Sequence, residues 1–265
     1  MLDLLVKPSG TTGWTINITP EEARWRYVGF DVHELDPGES AHHDTGNREA
    51  CLVLISGKAR IIAGGIDFGI VGERMSPFVG KPDSIYVPGG TRWEVTAETP
   101  LTLAVGSAPS LGGGLPARRI GPEATTHEVR GTGSNTRYVT NILPEGEPAD
   151  SLLVVEVITP GGNTSSYPPH KHDRDALPEE SLLEETYYHR LDPPQGFAFQ
   201  RVYTEDRTLD RTLLIEDGVV TLVPKGYHPC ATIHGYDLYY LNVMAGPKRT
   251  WRFHNEPAHE WLLKR

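Results

Sequence analysis

The chain has 265 residues, with 38% hydrophobic and 23% charged, a balance that excludes wholesale disorder and leaves ample core for one large unit or two smaller ones. A formal net charge of −10 argues against a nucleic-acid partner, while a local basic pocket for a small anion stays compatible with it. No apolar stretch approaches the ~20 residues that cross a bilayer, and the opening MLDLLVKPSG lacks the pattern of a secretory signal.

Strand-like runs follow one another along the first half: Trp25–Val32, Ala50–Ile55, Ala59–Ala63, Ser84–Val87 and Leu101–Val105. The second half continues with Tyr138–Ile142, Leu152–Ile158, Thr186–Leu191, Phe197–Tyr203, Thr212–Glu216, Val219–Val223 and Leu238–Val243. Turn signals such as Asp36-Pro37-Gly38, Gly64-Gly65, Gly161-Gly162 and Asp217-Gly218 separate them, in keeping with 28 Gly and 22 Pro. Helical periodicity is scarce, and one short helix is expected near the C-terminus. Cys51 and Cys230, far apart and in no metal-binding spacing, suit reduced thiols in a cytoplasmic protein.

The two halves echo each other. Glu49 opens the strand Ala50–Ile55 as Glu185 opens Thr186–Tyr188, and Pro88-Gly89-Gly90-Thr91-Arg92-Trp93 parallels Pro224-Lys225-Gly226-Tyr227-His228. An all-β protein of two tandem β-barrel or jelly-roll units is expected, residues 1–110 and 136–265, joined by a Gly-, Pro- and Arg-rich connection at 111–135.

His170-Lys171-His172 carries the chemistry. On an extended chain, residues i and i+2 point to one face, so two imidazoles converge on one cation. Alone, such a pair is more readily two surface histidines. Glu185 and, after a tight turn, His228 complete a pattern that resembles the metal motif of the cupin superfamily. Three imidazoles and one carboxylate suit a single divalent ion, Zn, Fe, Mn, Ni or Co, with positions left for substrate oxygens. Twelve residues separate His172 from Glu185, where three or four are usual. That length reads as an insertion at Asp173–Leu183 and leaves Glu184 open as the alternative ligand. In the first half His42, His43 and Glu49 occupy the corresponding places, but Trp93 stands where the last histidine would be. A filled, structural first unit is expected, with the metal in the second half.

The run HKHDRDALPEESLLEETYYHRLDPPQGFAFQRVYT, then VPKGYHPCATIHGYDLYYLNVMAGPKRTWRFHNEP, with LLVKPSG and GSNTRYV earlier, resembles the 5-deoxy-glucuronate isomerase family of bacterial myo-inositol catabolism over nearly the whole chain. The chain is similar, more distantly, to 4-deoxy-L-threo-5-hexosulose-uronate ketol-isomerase, a bicupin zinc enzyme. That resemblance maps the ligands onto His170, His172, Glu185 and His228, favours Glu185 over Glu184 and implies zinc. It implies an aldose–ketose isomerase acting on 5-deoxy-D-glucuronate without a redox cofactor.

A cis-enediol route then needs a group that moves a proton between C2 and C1. Tyr187 and His189, on the face of Glu185, are candidates, with His234 and Asp237; a buried tyrosine, a surface histidine and a turn aspartate are their structural alternatives. The substrate carboxylate calls for a cation, for which Arg201 and Lys225 are the candidates. A metal-dependent oxygenase and a non-enzymatic sugar-binding bicupin are the competing readings. A homo-oligomer is expected, since tandem cupins commonly associate.

Overall fold

The strand Ala59–Ala63 buries Ala59, Ile61 and Ala63 and turns Arg60 and Ile62 outward, the period-two pattern of a sheet with one covered face. The computed structural model describes residues 3–264. Their strands form two units, one of residues 8–126 and 140–155, the other of the described residues up to 7, 127–139 and 156 onward.

In the first unit a six-stranded sheet runs in the order Arg118–Ile120, Asp83–Val87, Arg48–Ser56, Leu101–Pro109, Gly29–Leu35, Gly13–Ile18. A four-stranded sheet follows the order Ser40–Asp44, Arg92–Ala97, Ala59–Ala63, Ile66–Val71. Leu52, Leu54, Ile85 and Leu103 from the larger sheet pack with Ile61, Val71, Trp93 and Val95 from the smaller in one apolar core. Trp93 is 2% exposed, so the indole fills the interior at the place where the second half carries His228.

The second unit holds most of a seven-stranded sheet ordered Leu5–Val6, Val220–Val223, Glu184–Asp192, Asp237–Ala245, Leu153–Thr159, Arg137–Leu143, Thr126–Arg130. A four-stranded sheet of Thr164–Ser165, Cys230–Thr232, Ala198–Tyr203 and Asp210–Ile215 accompanies it. This is the expected all-β architecture, with paired sheets in each unit.

Three local readings differ. The segment 111–135, expected as a bare connection, contains the paired strands Arg118–Ile120 and Thr126–Arg130, and the units interleave in sequence. The run Trp25–Val32 becomes strand from Gly29, because a four-residue helix at Pro20–Ala23 precedes it and Trp25 Nε1 donates to Val28 O at 2.7 Å. Thr19 and Glu22 cap that helix reciprocally with Pro20 at its first position, a signature visible in the sequence. The helix expected near the C-terminus is a 3₁₀ helix at Pro257–Lys264. Among the described residues no helix is long and apolar enough to cross a membrane.

Candidate metal centre

Alternation along Glu184–Asp192 places Glu185, Tyr187 and His189 on one face and Glu184 on the other. Glu185 stands between Val223 and Met244 on the flanking strands, which holds its side chain in the interior, 2% exposed. The long spacing from His172 is absorbed by a hairpin, Asp173–Ala176 paired with Glu180–Leu182. Leu183 N donates to His172 O at 2.9 Å where the hairpin closes, so the two ligand segments meet as though nothing intervened.

His228 arrives from a tight turn. Gly226 has φ +89°, and a Cβ there would lie 2.4 Å from Tyr203 O, so the close approach excludes a side chain. Tyr203 and Tyr227 exchange backbone hydrogen bonds of 2.9 and 2.8 Å, fixing the turn against the neighbouring strand. His228 Nδ1 donates to Gly226 O at 2.9 Å and His172 Nδ1 to Leu183 O at 3.0 Å. Both rings therefore present Nε2 to the interior, the orientation imposed on metal-ligating histidines by a partner on the other nitrogen.

The two Nε2 atoms lie 3.1 Å (His172) and 3.2 Å (His228) from one Glu185 oxygen, Oε2. His228 Nε2 is fully buried without a hydrogen bond to it. Adjacent donors around a divalent ion at about 2.1 Å are separated by roughly 3.0–3.4 Å. The buried group His172, Glu185 and His228 is one that could hold a metal ion. Burial pushes the His228 pKa down to about 3, keeping the imidazole neutral as a ligand must be. At His172 burial also opposes the charge, but the hydrogen bond and charge of Glu185 outweigh it and the pKa is raised.

His170 borders this group. Its ring centroid lies 4.9 Å from that of His228 and 6.4 Å from that of His172, it packs on Phe253 at 4.7 Å, and it bonds the Pro168 backbone. Between the two histidines Lys171 turns the opposite way into a buried ion network. Its Nζ lies 2.7 Å from Asp173 and 3.0 Å from Glu180, and Asp173 Oδ2 accepts from Gly226 N at 2.8 Å. The pair of histidines and the turn bearing His228 are thus tied through one carboxylate.

A family model described as the KduI/IolB family matches residues 4–262. Over 253 residues the chain is 53% identical to 5-deoxy-glucuronate isomerase of Geobacillus kaustophilus, covering 95% of this chain and 91% of that protein. Its counterpart of the same name in Halalkalibacterium halodurans is 49% identical over the full length of both chains. This chain belongs to the KduI/IolB family. An IolB-like protein of Salmonella typhimurium LT2 superposes with TM-score 0.97 at 53% identity, covering 98% of this chain and 99% of that one. A variant of Bacillus subtilis oxalate decarboxylase has TM-score 0.65 at 14% identity over 96% of this chain and 80% of its own, a likeness of fold.

In this KduI/IolB chain Tyr187 stands beside the cluster, its ring 5.8 Å from His228 and its hydroxyl 2.9 Å from Ser166 Oγ. His189 stacks behind it at 5.9 Å, fully buried, with Nε2 near Gln200 and Thr221. The other two expected proton carriers are elsewhere: His234 is exposed, and Asp237, first residue of its strand, accepts from Gly161 N at 2.8 Å and so holds the neighbouring turn. Arg201 forks onto Asp210 at 2.8 and 2.7 Å and lies over Tyr203, so its guanidinium is already matched; Lys225 is exposed. Tyr240, whose hydroxyl is 2.5 Å from Ser165 Oγ and whose ring is 4.9 Å from Tyr187, was not singled out from the sequence. Its strand reads as core, and the pairing exists only in three dimensions.

In the first unit, Glu49 is a structural carboxylate. It accepts from Ser151 N at 2.5 Å, Leu152 N at 2.6 Å, Asp150 N at 2.7 Å and Tyr86 Oη at 2.6 Å. His42 and His43 lie exposed on the strand Ser40–Asp44.

Proposed function

We propose that the protein is an aldose–ketose isomerase that converts 5-deoxy-D-glucuronate to 2-deoxy-5-keto-D-gluconate. The observation that carries the reading is the buried His172–Glu185–His228 group in a chain about half identical, end to end, to relatives named 5-deoxy-glucuronate isomerase. His172, Glu185 and His228, joined by His170 from its neighbouring position, hold one divalent ion, with zinc implied by the resemblance to the bicupin ketol-isomerase, since the donor set itself also suits Fe, Mn, Ni or Co. When bound, that ion supplies Lewis acidity to the oxygens on C1 and C2 of the sugar.

The chain's own residues do the rest. Isomerisation moves the C2 proton to C1 and the O2 proton to O1, with no net change in atoms or electrons. Tyr187 is the expected proton carrier that borders the cluster, and its hydroxyl-to-hydroxyl contact with Ser166 gives a route for the transfer. Ser166 holds φ +50°, uncommon for a residue other than glycine, which marks a backbone constrained by its surroundings. His189, kept neutral by burial with its pKa near 3, packs against the Tyr187 ring and orients it.

The decisive assay is turnover of 5-deoxy-D-glucuronate before and after chelation. Loss of activity on metal removal and recovery on zinc addition are expected; full activity in demonstrably metal-free protein overturns the metal assignment. Substrate deuterated at C2 should lose label to water, whereas complete retention at C1 points to a hydride shift. Oxygen consumption during turnover would instead favour the oxygenase reading. Tyr187→Phe should lower kcat about 10²–10⁴-fold at unchanged metal content.

A further inference from the structure

Arg137 is conspicuous for what it does not touch. In the same unit Arg130, Arg174, Arg190, Arg201 and Arg207 are each paired with a carboxylate. Arg137 is half-buried, carries no ion pair among the described residues, and has one hydrogen bond, Nη1 to the backbone oxygen of Asn135 at 3.0 Å. Burial lowers its pKa, the sign of a cation that solvent no longer fully compensates. A guanidinium stays charged in any protein, so such a position remains an unanswered positive charge.

The turn that leads into Arg137 is fastened to Tyr167, three residues before the His170 that borders the metal centre. The charge of Arg137 acts on His170 and on Tyr240, the side chains that border His228 and Tyr187. The mount is built. Asn135 Nδ2 donates to Tyr167 O at 3.1 Å, Thr164 Oγ1 donates to Asn135 Oδ1 at 3.0 Å, and Asn163 Nδ2 donates to Thr136 O at 2.9 Å. These bonds fasten the turn before Arg137 to the segment that leads into His170. Gly131 completes the turn: at φ +75° its missing Cβ leaves room for Asn135 O, which a side chain would meet at 2.1 Å.

We propose that Arg137 receives the carboxylate at the far end of the substrate and sets the enzyme's preference for an acid over a neutral sugar. This rests on the isomerase reading above. A planar fork with unmatched N–H donors suits a carboxylate, and partial desolvation strengthens the pairing. Arg201 and Lys225, expected for this task from the sequence, are respectively matched by Asp210 and exposed.

The test compares wild type, Arg137→Gln and Arg137→Lys on 5-deoxy-D-glucuronate and on the analogue whose C6 is reduced to an alcohol. Metal content and circular dichroism serve as controls. Arg137→Gln should lose about 10²–10³-fold in kcat/KM on the acid, chiefly through KM, and little on the neutral analogue. Arg137→Lys should fall between. Unaltered preference for the acid in Arg137→Gln, at normal metal content, overturns the proposal. Calorimetric binding of the acid to zinc-loaded protein supplies a separate readout. If wild type binds but does not isomerise the acid, the isomerase reading fails while the comparison of affinities still judges Arg137. If Arg137→Gln does not fold, a wild-type affinity in Arg137→Lys overturns the proposal and a weakened one supports it.

Discussion

His228 donates from Nδ1 to the carbonyl of Gly226, two residues back in its own turn, and thereby commits Nε2 to the interior beside Glu185. The same logic holds His172 through Leu183. Replacing either histidine by alanine removes a donor whose tautomer is already set. Zinc affinity, measured by competition with a chromophoric chelator, should fall by more than the about 10–100-fold that outer-sphere partners contribute. Unchanged affinity in His172→Ala would remove that residue from the ligand set.

Gly226→Ala tests the turn itself. The added methyl meets Tyr203 O at 2.4 Å on a backbone already at φ +89°. Gly90→Ala, in the parallel turn of the first half, places its methyl in open space at φ +71°. Backbone strain alone costs about 1–3 kcal/mol at Gly90, and steric displacement adds to it at Gly226. Gly226→Ala should lose zinc affinity as well as stability; Gly90→Ala should lose stability alone. Equal zinc affinities in the two variants would disconnect the turn from the site.

Lys171→Met removes the buried cation that Asp173 and Glu180 share and leaves Glu180 only its partner Arg174. Breaking such a buried pair from one side costs about 3–5 kcal/mol. Urea unfolding should register that loss. Adding Glu180→Gln to Lys171→Met should recover part of it, because Asp173 then no longer faces a second carboxylate.

Acid should weaken the metal-free protein in a defined window. His170, His189 and His228 are held by burial at pKa values near 3, below the ordinary value of 6.5. Their lowered values mean that the unfolded chain binds protons first, so the stability they contribute is complete above about pH 6.5 and is lost as pH falls toward 3. His172, with a raised pKa, and Asp31, whose carboxyl burial raises to about 7, act in the opposite sense. With His33, which burial lowers to about 4, four groups against two predict falling thermal stability from pH 7 to 5, before ordinary carboxylates titrate. His189→Gln should flatten the slope, and a slope identical to wild type would refute the assignment to that ring.

Glu49→Gln separates structure from function in the first unit. The carboxylate accepts from three consecutive backbone amides and one tyrosine, so its replacement should lower stability by about 1.5–3 kcal/mol. Zinc content and kcat should stay at wild-type values. A drop in zinc content would instead count Glu49 among metal-binding residues.

What could be read from the sequence was what recurs with a period. Strands with alternating or continuously apolar residues, such as Ala59–Ala63 and Leu238–Val243, were legible because burial on one or both faces writes itself into the side chains. Ser40–Asp44 was not, since that edge strand buries Ala41 alone among its five residues. The ligand residues stood out by type and spacing. The choice of Glu185 over Glu184 needed a face assignment that strand register supplies. Arg137 and Tyr240 escaped for a different reason. One is defined by a missing partner and the other by a neighbour on the adjacent strand, far away in sequence, neither of which leaves a trace in local order.

The hairpin between His172 and Glu185 makes the interval between them elastic. Its tip, Asp175 to Glu179, is largely solvated, whereas its root is held by Glu180 beneath Lys171 and by the Leu183 bond to His172. Loops of other lengths could therefore be grafted between Arg174 and Glu180 while the ion's surroundings stay as they are. A search for this chemistry in other genomes that fixes the count of residues between histidine and glutamate would pass over proteins like this one. A search that fixes the root and leaves the tip free would retrieve them.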